Sequence, residues 1–173
     1  MMSNTDQTLR DHREALVREH MATEDEHRFE DTLSTFSHPR YEVIPTGEVF
    51  DGEDELRGFY AESHRAFPDF HFENTVLRHL DDAVVVETDF VGTHLGPWRG
   101  LPATGRGVRY RMCNLFEFEG EDLVCERLHF DLLTVLQQIG IARDPTSSWG
   151  RVVTFLNHPL VVGRAFARAA VGR

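Results

Sequence analysis

The sequence predicts an α+β domain in which helices come first and a meander of long antiparallel strands follows. Two observations carry this. Before Pro68, three stretches carry apolar residues at helical spacing, with only two short strands between them. From Asp69 onward the period changes to two, in four successive runs: Phe70 to Leu80, Ala83 to Leu95, Val108 to Phe118 and Leu123 to Phe130. Asp81-Asp82 and Glu119-Gly120-Glu121 suit hairpin turns, whereas Gly96 to Gly107, with four glycines and two prolines, must be a longer excursion.

Each element has a local reason. A polar stretch from Asp6 to Met21 carries a thin apolar stripe of Leu9, Leu16 and Val17. Thr23 and Glu26 have capping-box spacing, so a second helix should start there and bury Phe29, Leu33 and Phe36. His38-Pro39-Arg40 breaks it, Tyr41 to Ile44 reads as a strand, and Glu48 to Phe50 should pair back after the Pro45-Thr46-Gly47 turn. Asp51 can cap a third helix with Leu56, Phe59, Tyr60, Ser63 and Phe67 on its buried side. Asp131 to Ile139 closes the domain as a helix or turn ended by Gly140. This gives one domain over residues 1–143 and a C-terminal helical extension over 144–173. The extension breaks from the domain at Asp144-Pro145 and is expected to pack on the domain or on a dimer partner, because Trp149, Val152, Val153, Phe155 and Leu156 are too apolar for a solvated linker.

Composition narrows the function classes. A length of 173 residues, 40% of them hydrophobic, suits one core, and a net charge of -11 opposes both phosphate backbones and anionic lipid heads. No nucleic-acid or membrane partner is expected. All basic residues are arginine, which excludes imine chemistry through a lysine amine. The two cysteines, Cys113 and Cys125, lack any CxxC or Cys/His cluster, and no apolar run approaches the roughly 18 residues needed to span a bilayer, so a reduced, cytoplasmic protein is expected.

The order Phe67-Pro68-Asp69-Phe70, Gly92-Thr93-His94-Leu95-Gly96, Gly100-Leu101-Pro102-Ala103-Thr104-Gly105-Arg106, Phe130-Asp131 and Gln138-Ile139-Gly140 resembles the SnoaL-like polyketide cyclases of the nuclear transport factor 2-like superfamily. The likeness covers about residues 25–142. It implies a cone-shaped curved antiparallel sheet, wrapped by helices, that holds a hydrophobic small molecule. It also implies an aspartate near the end of the last strand as general acid/base in an aldol closure, and Asp131 matches that position.

Alternation on the last strand puts Cys125, Arg127, His129 and Asp131 on one side and Glu126, Leu128 and Phe130 on the other, making His129 a neighbour of Asp131. Burial in an apolar cone would raise the carboxyl pKa toward the range useful for taking a carbon-bound proton. The competing role for Asp131 is to cap the helix that follows. Tyr110, Met112, Asn114 and Phe116 share an apolar face that should line the cavity, with Asn114 placed to contact ligand or to tie down a backbone group. Phe90 and His94 share a face of the preceding strand. His94 could carry a proton at the pocket mouth or anchor the loop, and Trp98 could be a lid or a dimer contact. Tyr60 and His64, four apart on the third helix, point one way, with Tyr41 across from them as ligand contact or core aromatic.

Metal is not expected. Glu24 and His27 have no second Glu-x-x-His, His71 and His79 lie about 26 Å apart along a strand, and no HExxH occurs. The reading is a cofactor-independent cyclase or isomerase acting next to a carbonyl, with Asp131 as base. The alternative is a non-catalytic binding or assembly module of the same fold. A homodimer is expected because Val91, Cys113 and Leu115 would leave apolar groups on the outer face of the sheet.

Overall fold

Where the hydrophobic period switches at Asp69, the backbone leaves its third helix for four long, consecutive strands. The computed structural model describes residues 4–171. In chain order the elements are α1 (Asn4–Asp25), α2 (Phe29–Ser34), β1 (Arg40–Val43), β2 (Glu48–Asp51), α3 (Glu53–Ala66), β3 (His71–His79), β4 (Ala83–Thr93), β5 (Gly107–Glu119), β6 (Asp122–Phe130), α4 (Leu132–Gln138), α5 (Ser148–Asn157) and α6 (Pro159–Val171).

The six strands form one curved sheet in the order β2-β1-β6-β5-β4-β3. All neighbours are antiparallel except β1 and β6, which run parallel with Tyr41 opposite Glu126 and Val43 opposite Leu128. That parallel pair departs from the all-antiparallel expectation. Long ladders join Val86 to Asn114, Thr88 to Met112 and Phe90 to Tyr110 between β4 and β5, then Asn114 to Leu128 and Phe116 to Glu126 between β5 and β6. Residues directly opposite share a face, so one continuous inner surface crosses three strands.

α1 corrects the capping-box expectation. It runs unbroken through Thr23, whose hydroxyl donates to the His20 carbonyl at 2.9 Å inside the helix and accepts from the Thr32 hydroxyl at 2.9 Å, where a cap would accept from a backbone N–H. The turn to α2 comes at His27, which adopts φ 58°. Buried Arg13 fixes α1 on the sheet by donating to the carbonyls of Gly120 at 2.9 Å and Asp81 at 2.8 Å, the two hairpin turns. At α3 the N-cap is Gly52 at φ 97°, one residue after the expected Asp51.

The outer face of the sheet carries cross-strand ion pairs where apolar cover was expected. Arg111 meets Asp89 at 3.1 Å and Glu87 at 3.2 Å, Arg109 meets Glu73 at 2.8 Å, and Arg127 meets Glu42 at 2.7 Å. Val91 and Leu115 are half-buried among them, and Cys113 is exposed. The hairpin of α5 and α6 packs on itself, while Trp149, Phe155, Leu156, Leu160, Val161 and Phe166 stay exposed. Within a single chain these helices do not bury that face on the cone.

Candidate active site

The inner surface of the sheet and the helices α1 and α3 enclose a cavity of about 70 Å³. Its walls are aromatic, with Phe67, Phe70, Phe90, Trp98, Tyr110 and Phe130 among the lining residues, and its polar wall groups include Glu24, Asn114, Ser63 and Arg99. β5 delivers Tyr110, Met112 and Asn114 to the cavity, β6 delivers Leu128 and Phe130, and α1 delivers Glu24.

Behind Glu24 lies a buried polar network. His20, one helical turn earlier on α1, is fully buried and places Nε2 at 3.6 Å from Glu24 Oε2, 3.2 Å from Glu126 Oε2 and 3.0 Å from the Tyr41 hydroxyl. The Thr35 hydroxyl donates to the Thr32 carbonyl at 2.7 Å, so it can only accept from His20 Nδ1, 2.8 Å away. His20 therefore carries a proton on Nδ1, and its Nε2 faces two carboxylates. Burial alone would lower its pKa; Glu126 and Glu24 overcome that and raise it to about 9. Glu24 is raised, first by burial and then by the neighbouring Glu126 charge, against the opposing pull of His20. Asn114 Nδ2 donates to Glu126 Oε1 at 2.9 Å, and the Tyr41 and Tyr60 hydroxyls share a bond of 2.5 Å.

The ligand atoms of His20, Glu24 and Glu126 lie within 4.8 Å of one another, which makes them the donor set, among the described residues, that could hold a cation. An ion there would compete with Tyr41 for His20 Nε2.

The family model for SnoaL-like polyketide cyclase matches residues 15–139, most of the chain. The chain belongs to the SnoaL-like polyketide cyclase family. No curated protein matches it. Among solved structures, a SnoaL-like protein from Jannaschia sp. CCS1 is 20% identical, covers 83% of this chain and 99% of its own, and superposes with a TM-score of 0.70. A phenazine biosynthesis-related protein from Pseudomonas aeruginosa is 20% identical over 83% of this chain and 94% of its own, with a TM-score of 0.68. TsrD from Streptomyces laurentii is 23% identical over 82% of this chain and 99% of its own, with a TM-score of 0.60. At such identities the likeness shows the shared SnoaL-like fold alone.

Within this SnoaL-like cone the residues singled out in the sequence separate into three groups. Phe90, Trp98, Tyr110, Met112 and Asn114 line the cavity. Tyr41, Tyr60 and Phe116 are buried behind it, the tyrosines in the His20 network and Phe116 with its ring 5.2 Å from the His20 imidazole. The remaining four lie elsewhere. Asp131 is exposed and caps α4, accepting from Leu133 N at 2.9 Å and the Thr134 hydroxyl at 2.6 Å, which hold its carboxyl below its ordinary value. Its neighbour His129 is exposed on the outer face. His94 is buried as a loop anchor, with Nδ1 at 3.1 Å from the Thr104 hydroxyl and its backbone bonded to Arg106 and Gly105. His64 sits against His27, with ring centroids 4.6 Å apart, and burial lowers its pKa.

The correction on β6 has a plain cause. The inner face of that strand carries Glu126, Leu128 and Phe130, so the parity that puts Asp131 beside His129 points both outward. The alternation of Leu128 and Phe130 with the charged Arg127 and His129 was the available signal. His20 and Glu24 lie four apart on α1, a spacing that the neighbouring Glu24-x-x-His27 pattern hides in the sequence.

Proposed function

We propose that the chain binds a hydrophobic small molecule in the cone and transfers a proton to or from it through Glu24, as a cofactor-independent isomerase or cyclase. The observation that carries this is a buried carboxyl on an otherwise aromatic cavity wall, backed by His20 and Glu126, with its pKa raised toward the range of a useful general base. Tyr110 supplies the matching donor. Burial, and next to it the Glu24 charge, keeps its phenol protonated, so it can donate to a carbonyl oxygen as Glu24 takes the proton from the adjacent carbon. The electron pair of the broken C–H bond moves onto that oxygen, and Glu24 returns the proton at the same or another carbon. Asp131 has no part in this step.

The test is hydrogen–deuterium exchange of 2-tetralone in heavy water, followed by NMR. The wild type should accelerate exchange next to the carbonyl, and Glu24→Gln should cut that rate by about 10²–10⁴ fold, the usual contribution of a positioned base, without loss of fold. Ligand binding without exchange in the wild type would make the cone a binding module. The same proposal places a homodimer in the cytoplasm, with no nucleic-acid or membrane partner; the exposed apolar face of α5 and α6 supports association, and the net charge of -11 opposes polyanions.

A further inference from the structure

The floor of the cavity is rich in acceptors. Asn114 donates its Nδ2 to Glu126 Oε1 at 2.9 Å, and this leaves Asn114 Oδ1 as an acceptor. That oxygen is buried without a hydrogen-bond partner among the described residues, as are His64 Nδ1 and His94 Nε2 away from the cavity lining, while Glu126 Oε2 lies 3.2 Å from His20 Nε2 behind the wall. Asn114 is 2% exposed and lines the cavity beside Glu24. An unsatisfied buried acceptor costs about 1–3 kcal/mol, so a ligand that donates here gains what the empty site lacks.

Charge points the same way. Two buried carboxyl groups, Glu24 and Glu126, face the single imidazole of His20, so acidic groups outnumber basic ones in this network. Arg99 is the one basic residue among those lining the cavity, but its guanidinium is paired with Glu48, and its backbone N–H donates to Glu62 at 3.0 Å. The rings of Phe67, Phe70, Phe90, Trp98 and Tyr110 surround the remaining space, and aromatic faces attract a cation within about 6 Å of their centres. A bare metal ion on His20, Glu24 and Glu126 would leave that apolar volume unfilled.

We infer that the cavity selects a ligand carrying a protonated amine, whose N–H groups donate to Glu24 and Asn114 Oδ1 while its carbon skeleton lies against the aromatic walls. This rests on the cone being a small-molecule site, as proposed above, and names the class of molecule it takes.

Isothermal titration of the full chain near neutral pH with benzylamine, benzyl alcohol and benzoate tests it, since the three differ in charge far more than in size. Benzylamine should bind at least about tenfold more tightly than benzyl alcohol, and benzoate should not bind. Glu24→Gln, checked for fold by circular dichroism, should shrink the preference to within about twofold. Equal or tighter binding of the alcohol overturns the inference while leaving the small-molecule site standing, and the wild-type series decides this even if the variant misfolds. A preference that survives in folded Glu24→Gln also overturns it. Failure of all three probes at millimolar concentration removes both the inference and the reading beneath it.

Discussion

Raising the pH should destabilise this protein through one residue. His20 sits between Glu24 and Glu126 with no exposure to water, and its pKa rises from 6.5 to about 9. A group that holds its proton more tightly when folded contributes stability that is whole below its unfolded pKa and is lost as pH climbs through its folded one. The window therefore runs from 6.5 to about 9. At roughly 1.4 kcal/mol per tenfold change in proton affinity, the rise is worth about 3 kcal/mol, a large share of a typical domain's stability. Glu24 acts with the same sign, since its raised pKa also makes the folded chain favour the protonated form, and that part fades as pH rises past 4.5. The assay is urea unfolding of the wild type and His20→Gln at several values between about pH 6 and pH 10, so that groups common to both cancel. The wild type should lose about 3 kcal/mol more than the variant across the window. Parallel curves would show that His20 is neutral when folded and would remove the ion triad behind the site.

Asp131→Ala should cost about 0.5–2 kcal/mol through loss of the α4 cap, read by urea unfolding, and should leave 2-tetralone exchange unchanged. A matching loss of exchange would return the chemistry to Asp131. Gly96→Ala should destabilise by at least about 1–3 kcal/mol in the same assay, because the added carbon would sit 2.0 Å from the Arg65 carbonyl oxygen, a backbone atom that cannot swing away. Deleting the segment after Arg143 should leave the melting temperature of the cone nearly unchanged and convert a dimer to monomer in sedimentation; a dimer that survives places the interface elsewhere, and lost liposome binding would make the hairpin a membrane contact.

Local signals located the strands well. Period-two alternation fixed β4, β5 and β6 to within a residue or two, since each has one buried face and a tight turn at an end. The inner face of β5 was equally legible, because Tyr110, Met112 and Phe116 contrast with Arg109, Arg111 and Glu117. The polar network was not. His20, Glu24 and Glu126 look like surface residues when each is read along its own element, and only the approach of α1 to β6 makes them partners. Thr23 misled for a related reason: its capping motif is local, whereas the fate of its hydroxyl depends on the helix continuing. Asp131 carried two readings, and its hydrogen bonds to Leu133 and Thr134 select the cap.

The parallel seam between β1 and β6 bears on how the protein is made. Arg127 and Glu42 meet across a separation of 85 residues, and Tyr41 lies beside Glu126 only once that seam closes. A ribosome delivers α1 and β1 long before β6 emerges, so His20 and Tyr41 wait without the carboxylate that completes their surroundings. Contacts this distant in sequence form slowly, after the loop entropy between them has been overcome. The acid/base centre should therefore be the last region to mature, and nascent chains stalled before Asp122 should carry an assembled α1 without a working site.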